Sequence, residues 1–179
     1  LERHREWAEQ LIDTGHTYED GGAVRFRMPD ETLAWDDAVH GTLSFEGRDI
    51  KDWIILRSDR TPTYNFSVVA DDIDMGLTHV IRGSDHVSNT PKQIALYRAL
   101  GVDPPTFGHV PMIHGTDGKK LSKRHGATAV GDYQHLGILP AALTNFLVLL
   151  GWSPGDDREL YFDIEELVEA FSLEGVQKK

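Results

Sequence analysis

Tyr64-Asn-Phe-Ser-Val-Val-Ala-Asp-Asp-Ile-Asp-Met-Gly-Leu-Thr-His-Val-Ile-Arg-Gly-Ser-Asp-His-Val-Ser-Asn-Thr-Pro91 is the stretch that decides the architecture of this chain. Tyr64 to Met75 mixes apolar side chains with Asn65, Asp71, Asp72 and Asp74 and reads as a helix. Thr78–His79–Val80–Ile81 is short, β-branched and bounded by Gly76 and Gly83, the pattern of a buried strand. Thr90 is then a good N-cap and Pro91 a good first helical residue. Ile94, Leu96, Tyr97 and Leu100 recur along the following helix, and Gly101 closes it. Phe107 to Ile113 reads as another strand. Helices alternating with strands predict an α/β domain.

Working outward, Leu1 to Thr14 has Trp7, Ala8, Leu11 and Ile12 on one helical face, with Gly15 after it. Ala23 to Met28 alternates: Val24, Phe26 and Met28 on one side, Arg25 and Arg27 on the other, as in a half-buried strand. Short strands are expected near Leu33–Trp35, Thr42–Phe45 and Trp53–Leu56, with a turn at Ser58–Pro62. Toward the C-terminus, helices are expected at Pro140–Leu150 and Ile164–Phe171.

The 179 residues carry a net charge of −11, with 40% apolar and 26% charged side chains, an ordinary balance for a globular protein. Cysteine is absent, which removes disulfides, thiolate zinc sites and cysteine nucleophiles. The strongly apolar run Phe146–Leu150 is far too short to span a bilayer, so no membrane role is expected, and a cytoplasmic location fits. The acidic average argues against a broad nucleic-acid face. One local exception stands out: Lys119, Lys120, Lys123, Arg124 and His125 lie close together. His79, His86, His109, His114 and His125 show no metal-ligand spacing, and His109 and His114 are expected to have ordinary polar roles on or beside a strand. Asp71 and Asp72 are adjacent on a helix and point apart, which favours hydrogen bonding or capping over a joint Mg²⁺ site.

The basic segment runs Asp117-Gly-Lys-Lys-Leu-Ser-Lys-Arg-His-Gly126. Lys120 and Lys123 are point charges on flexible stems, suited to following phosphate charge as it moves. Ser122 and nearby backbone N–H groups could add to an anion site, although a solvated basic turn has the same composition. The order Lys-Leu-Ser-Lys-Arg resembles the KMSKS signature of class I aminoacyl-tRNA synthetases. The upstream stretch from Tyr64 to Pro91 resembles bacterial glutamyl-tRNA synthetases almost residue for residue, and the resemblance covers essentially the whole chain.

That resemblance implies the second half of a Rossmann-type catalytic domain with an inserted α+β acceptor-binding region, followed by helical elements. Residues 1–62 would hold the end of the first half and the inserted region, 63–130 the nucleotide-binding second half, and 131–179 a truncated helical stem-contact region. It further implies glutamate binding by Tyr64 and Arg82. ATP binding would involve Asp85, Ile113, Lys120, Leu121, Ser122, Lys123 and Arg124, with Lys120 and Lys123 acting on the transition state. Arg82 suits its role physically, since its planar fork can meet a carboxylate in two parallel hydrogen bonds; a structural ion pair at a strand end is the plainer alternative. ATP, Mg²⁺, glutamate and tRNA are the implied substrates and partners, with no zinc and a monomeric parent enzyme.

The chain departs from the family pattern in two places. The HIGH-type motif of the first half does not occur in it, and both ends read as cuts through a longer chain, so these residues alone are expected not to form glutamyl-adenylate. Many bacterial members carry a long, often zinc-binding insert where only Glu19 to Gly22 joins Thr17–Tyr18 to Ala23–Val24. A glutaminyl-tRNA synthetase and a non-catalytic tRNA- or nucleotide-binding paralogue are the alternative readings.

Overall fold

The computed structural model describes residues 2–115, 117–118, 129–155, 157–161 and 163–178. The chain divides into two compact units. The first comprises Leu1–Asp37, Gly41–Val80 and His86–Gly108, the second Ala38–His40, Ile81–Asp85 and His109–Lys179.

In the first unit, α1 (Glu2–Asp13) buries Ala8 and Leu11, and Gly15 follows with φ +78°. Strands β1 (Thr17–Asp20) and β2 (Ala23–Phe26) pair antiparallel, with Asp20 opposite Ala23. Gly21 and Gly22 join them at φ +58° and +81°. Two consecutive positive φ values are what a type I′ hairpin turn demands, and glycine meets them without steric cost. β5 (Trp53–Leu56) adds to β2 with a register shift between Val24 and Arg25, giving the order β1-β2-β5. Val24 and Phe26 are buried as the alternation predicts, but the strand stops short of Met28. There the Met28 N–H donates to Asp52 Oδ1 (2.8 Å), and Pro29 has no N–H to continue a ladder. β3 (Thr32–Asp37) and β4 (Gly41–Glu46) form a separate antiparallel hairpin, with Trp35 stacked on Phe45 at 5.8 Å.

Helix α2 (Tyr64–Met75) occupies the predicted span. It buries Ala70 together with Phe66 and Val69, the latter two contributing roughly 1.5–3 kcal/mol each, and Gly76 at φ +63° returns its N–H to the Asp72 and Ile73 carbonyls. Asp72 takes a hydrogen-bonding role, accepting from the Tyr97 hydroxyl (3.3 Å), whereas Asp71 Oδ1 lies 3.1 Å from His4 Nε2 without a hydrogen bond between them. Asp74 accepts from Arg3 and from Trp7 Nε1, joining α1 to α2. α3 (Thr90–Ala99) buries Ile94, Ala95, Leu96 and Tyr97, and these complete a core with Leu11, Phe26, Ile55 and Phe66.

Thr90 is not the N-cap of α3. A 3-10 helix, Ser84–Asn89, runs directly into it, so Asn89 at the boundary is already right-handed helical. The Thr90 hydroxyl donates backward to the His86 carbonyl (3.4 Å) instead of forward to an open N–H. Pro91 is thereby the second helical residue, one place later than expected but still in the first turn.

Strand β6 (His79–Gly83) is less buried than its composition suggests, with Ile81 52% exposed. Among the described residues its one strand neighbour is β7 (Thr106–Val110), whereas a fully buried strand needs cover on both faces. β7 ends before the predicted Ile113, because Pro111 brings no N–H to the ladder.

The second unit contains α4 (Val130–His135), α5 (Pro140–Leu149) and α6 (Ile164–Ala170). The last two match expectation to within a residue at the C-terminal end; α4, a short helix with no buried residue, carries no apolar stripe to betray it. Trp152, Tyr161 and Leu167 form a small core with Val148, Leu149 and Val176. The Trp152 indole donates to the Ser172 carbonyl (3.0 Å), and Asp163 caps α6 by accepting from the Glu166 N–H (2.8 Å). No helix among the described residues is long and apolar enough to cross a membrane.

Candidate functional site

Arg82 and His109 are each the fourth residue of a five-residue strand, β6 and β7, and both belong to the second unit. Arg82 Nε donates to His109 Nε2 at 3.2 Å. Arginine has no acceptor, so the histidine nitrogen must offer its lone pair, which places the ring proton on Nδ1 and makes the ring neutral. His109 is fully buried, at 0% exposure. A neutral acceptor orients the guanidinium without cancelling its charge, as a carboxylate in that position would.

Next along the chain, a side chain at Gly83 would have to displace the ends of Asp85 and Met112. A Cβ there would stand 2.7 Å from Asp85 Oδ1 and 3.1 Å from Met112 Sδ. The glycine therefore lets the Asp85 carboxylate lie close to the end of β6. Ile113 follows Pro111 beyond β7, with its side chain 45% exposed. It borders a cavity of about 420 Å³ whose walls include Pro111, Leu147, Trp152 and Phe171. That wall is mostly apolar and holds no Lys or Arg among the described residues, so it suits an apolar group rather than phosphates.

Tyr64 opens α2 in the first unit, and its ring is 6.2 Å from that of His86. His86 Nδ1 lies 3.1 Å from Asn89 Nδ2, within hydrogen-bonding distance. Behind this pair the buried Gln93 donates to Asn65 Oδ1 (3.1 Å), fixing the first turn of α2 against α3.

Lys120, Leu121, Ser122, Lys123 and Arg124 lie outside the described residues. The turn that leads toward them is present: the Gly118 N–H donates to the Gly115 carbonyl (3.0 Å), with Gly118 at φ +71°. Among the described residues no group of three or more His, Asp or Glu is arranged to hold a metal ion. Residue-by-residue reading missed His109 as a partner of Arg82. Its signal was positional: each of the two runs, Thr78–Gly83 and Phe107–Ile113, is interrupted by a polar residue capable of reaching across to the other.

The family model for the catalytic domain of class I tRNA synthetases (E and Q) matches residues 1–179. The glutamate–tRNA ligase of Nitratidesulfovibrio vulgaris is 57% identical over 158 residues, covering 88% of this chain and 34% of that protein. That of Francisella tularensis is 56% identical over 170 residues, covering 94% and 35%. The chain thus spans about a third of the length of these relatives. Among solved structures, a glutamate tRNA ligase from Elizabethkingia meningosepticum in complex with its amino acid superposes with a TM-score of 0.78 at 31% identity, over 97% of this chain and 38% of that one. On its sequence and its mixed α/β fold, the chain belongs to the class I tRNA synthetases (E and Q), within their catalytic domain.

Proposed function

We propose that these residues are the second half of the catalytic domain of a glutamate–tRNA ligase and work within a longer, monomeric, cytoplasmic enzyme. The observation that carries this reading is the 56–57% identity to glutamate–tRNA ligases across nearly the whole chain. In this reading residues 1–62 include the inserted acceptor-binding region, 63–130 the nucleotide-binding half and 131–179 the stem-contact helices.

The reaction has two steps. The glutamate α-carboxylate attacks the α-phosphorus of ATP, pyrophosphate leaves, and glutamyl-adenylate forms. A terminal ribose hydroxyl of tRNA then attacks the activated carbonyl, and AMP leaves. No protein nucleophile takes part, so the work falls on positioning and charge stabilisation. Arg82 and Tyr64 hold the glutamate, Arg82 by pairing with its side-chain carboxylate. Asp85 meets the adenosine, and the backbone at Ile113 lies along the adenine. Lys120, Leu121, Ser122, Lys123 and Arg124 form the loop over the phosphates, with Lys120 and Lys123 acting on charge that grows in the transition state. Mg²⁺ enters with the triphosphate, in keeping with its habit of using phosphate oxygens and water more than a protein cage.

Glutamate-dependent exchange of labelled pyrophosphate into ATP by the full-length enzyme carrying this segment tests the proposal. Exchange supported by glutamine and not by glutamate would favour the glutaminyl alternative, and exchange with neither would favour the non-catalytic one.

A further inference from the structure

We propose that His109 is a positioning residue for Arg82: its Nε2 holds the guanidinium Nε and so sets the edge with which Arg82 selects the glutamate side chain. This rests on the function proposed above and adds to it a residue that never touches the substrate.

A guanidinium can meet a carboxylate side-on, through Nε and one terminal nitrogen, or end-on, through both terminal nitrogens. The 3.2 Å bond to His109 commits Nε. The side-on approach through Nε is then closed to a substrate carboxylate, and the guanidinium plane is fixed before substrate arrives. His109 is a rigid anchor for this purpose. It is wholly buried, and it follows the buried residues Phe107 and Gly108 in a strand that ends just before Pro111. Burying an imidazole is costly unless its nitrogens are bonded, so the ring has as much reason to keep this contact as Arg82 does. Because the acceptor is neutral, this contact fixes direction while preserving the positive charge that distinguishes a carboxylate from an amide.

Two polar replacements separate this role from mere core packing. Glutamine can place its amide oxygen where Nε2 stands, whereas the shorter asparagine reaches only the Nδ1 position. In the full-length enzyme, His109→Gln should keep glutamate KM close to that of the wild type in pyrophosphate exchange. His109→Asn should raise it by roughly tenfold, the order expected when a hydrogen bond to a charged group is lost. In His109→Asn the ATP KM should stay near wild type, and the preference for glutamate over glutamine should narrow. Equal behaviour of the two variants, or parallel rises in glutamate and ATP KM, would make His109 a packing residue and overturn the proposal. So would failure of His109→Gln to fold, because an amide oxygen at that position would then not suffice. A wild-type enzyme without glutamate-dependent exchange would instead overturn the functional reading, which the comparison of variants leaves distinct.

Discussion

Gly83 and Asp85 are so close that the space for a Cβ on the first is already taken by a carboxylate oxygen of the second, 2.7 Å away. No Cβ approaches an oxygen so closely, so even a methyl group must push Asp85 aside. If Asp85 contacts adenosine, Gly83→Ala in the full-length enzyme should raise ATP KM by about tenfold, the equivalent of 1.4 kcal/mol. Glutamate KM should change less. Unchanged ATP KM with a normal unfolding temperature would show that Asp85 can move without consequence, and would remove it from the nucleotide site.

Arg82→Ala should raise glutamate KM by at least about tenfold, since a hydrogen bond to a charged group contributes roughly 1.5–3 kcal/mol. Glutamine, whose side chain is neutral, should lose less, so discrimination narrows. Steady-state exchange with both amino acids measures this. Equal losses for the two would mean that Arg82 holds the shared α-carboxylate, or only the fold.

Lys123→Ala should lower the kcat of adenylation by about 10²–10³, the usual loss for a donor aimed at transition-state charge, with little effect on glutamate affinity. Single-turnover adenylate formation separates the two effects. A mutant with near-normal kcat and a raised ATP KM would make the lysine a ground-state tether.

The link between α1 and α2 predicts a pH dependence. The hydrogen bond from Arg3 above all holds the Asp74 carboxyl below the usual carboxylate range; desolvation opposes it, and a weaker hydrogen bond from Trp7 adds to it. A carboxylate with a lowered folded pKa stabilises the fold above its unfolded pKa and loses that contribution as pH falls through the folded value. Asp74→Asn should therefore lower Tm at neutral pH, and the gap from the parent chain should close as acid protonates Asp74. Thermal unfolding of this chain across the acid range checks it. A gap that stays constant with pH would assign the loss to packing.

Most of the architecture was legible because the signals were local. The span of α2 follows from the turn at Ser58–Pro62 before it and Gly76 after it, and Trp53–Leu56 is a strand by composition alone. What escaped depended on neighbours. Thr90 has the chemistry of a cap, but the 3-10 turn before it had already made its surroundings helical. Ile81 has the composition of a buried strand, yet exposure is set by what covers the strand, and one β-branched run cannot report that. Arg82 is singled out by the resemblance of its own run, whereas its hydrogen bond to His109 joins it to a residue 27 positions away. The β1 strand went unread because two glycines that close a hairpin are also plain loop composition until the strands on either side are seen to pair.

That Gly21-Gly22 hairpin also works as a splice point. Asp20 and Ala23 face each other across the last rung of the β1–β2 ladder, so the polypeptide leaves and re-enters the sheet at one spot. Any inserted module whose own ends come within a strand spacing of about 5 Å could be joined there without changing a single rung below it. The entropic cost of a longer connection rises only with the logarithm of its length, about 0.6 kcal/mol per doubling. A lineage could therefore gain or lose an appendage at this hairpin while the register of the sheet, and everything packed on it, stays as it was.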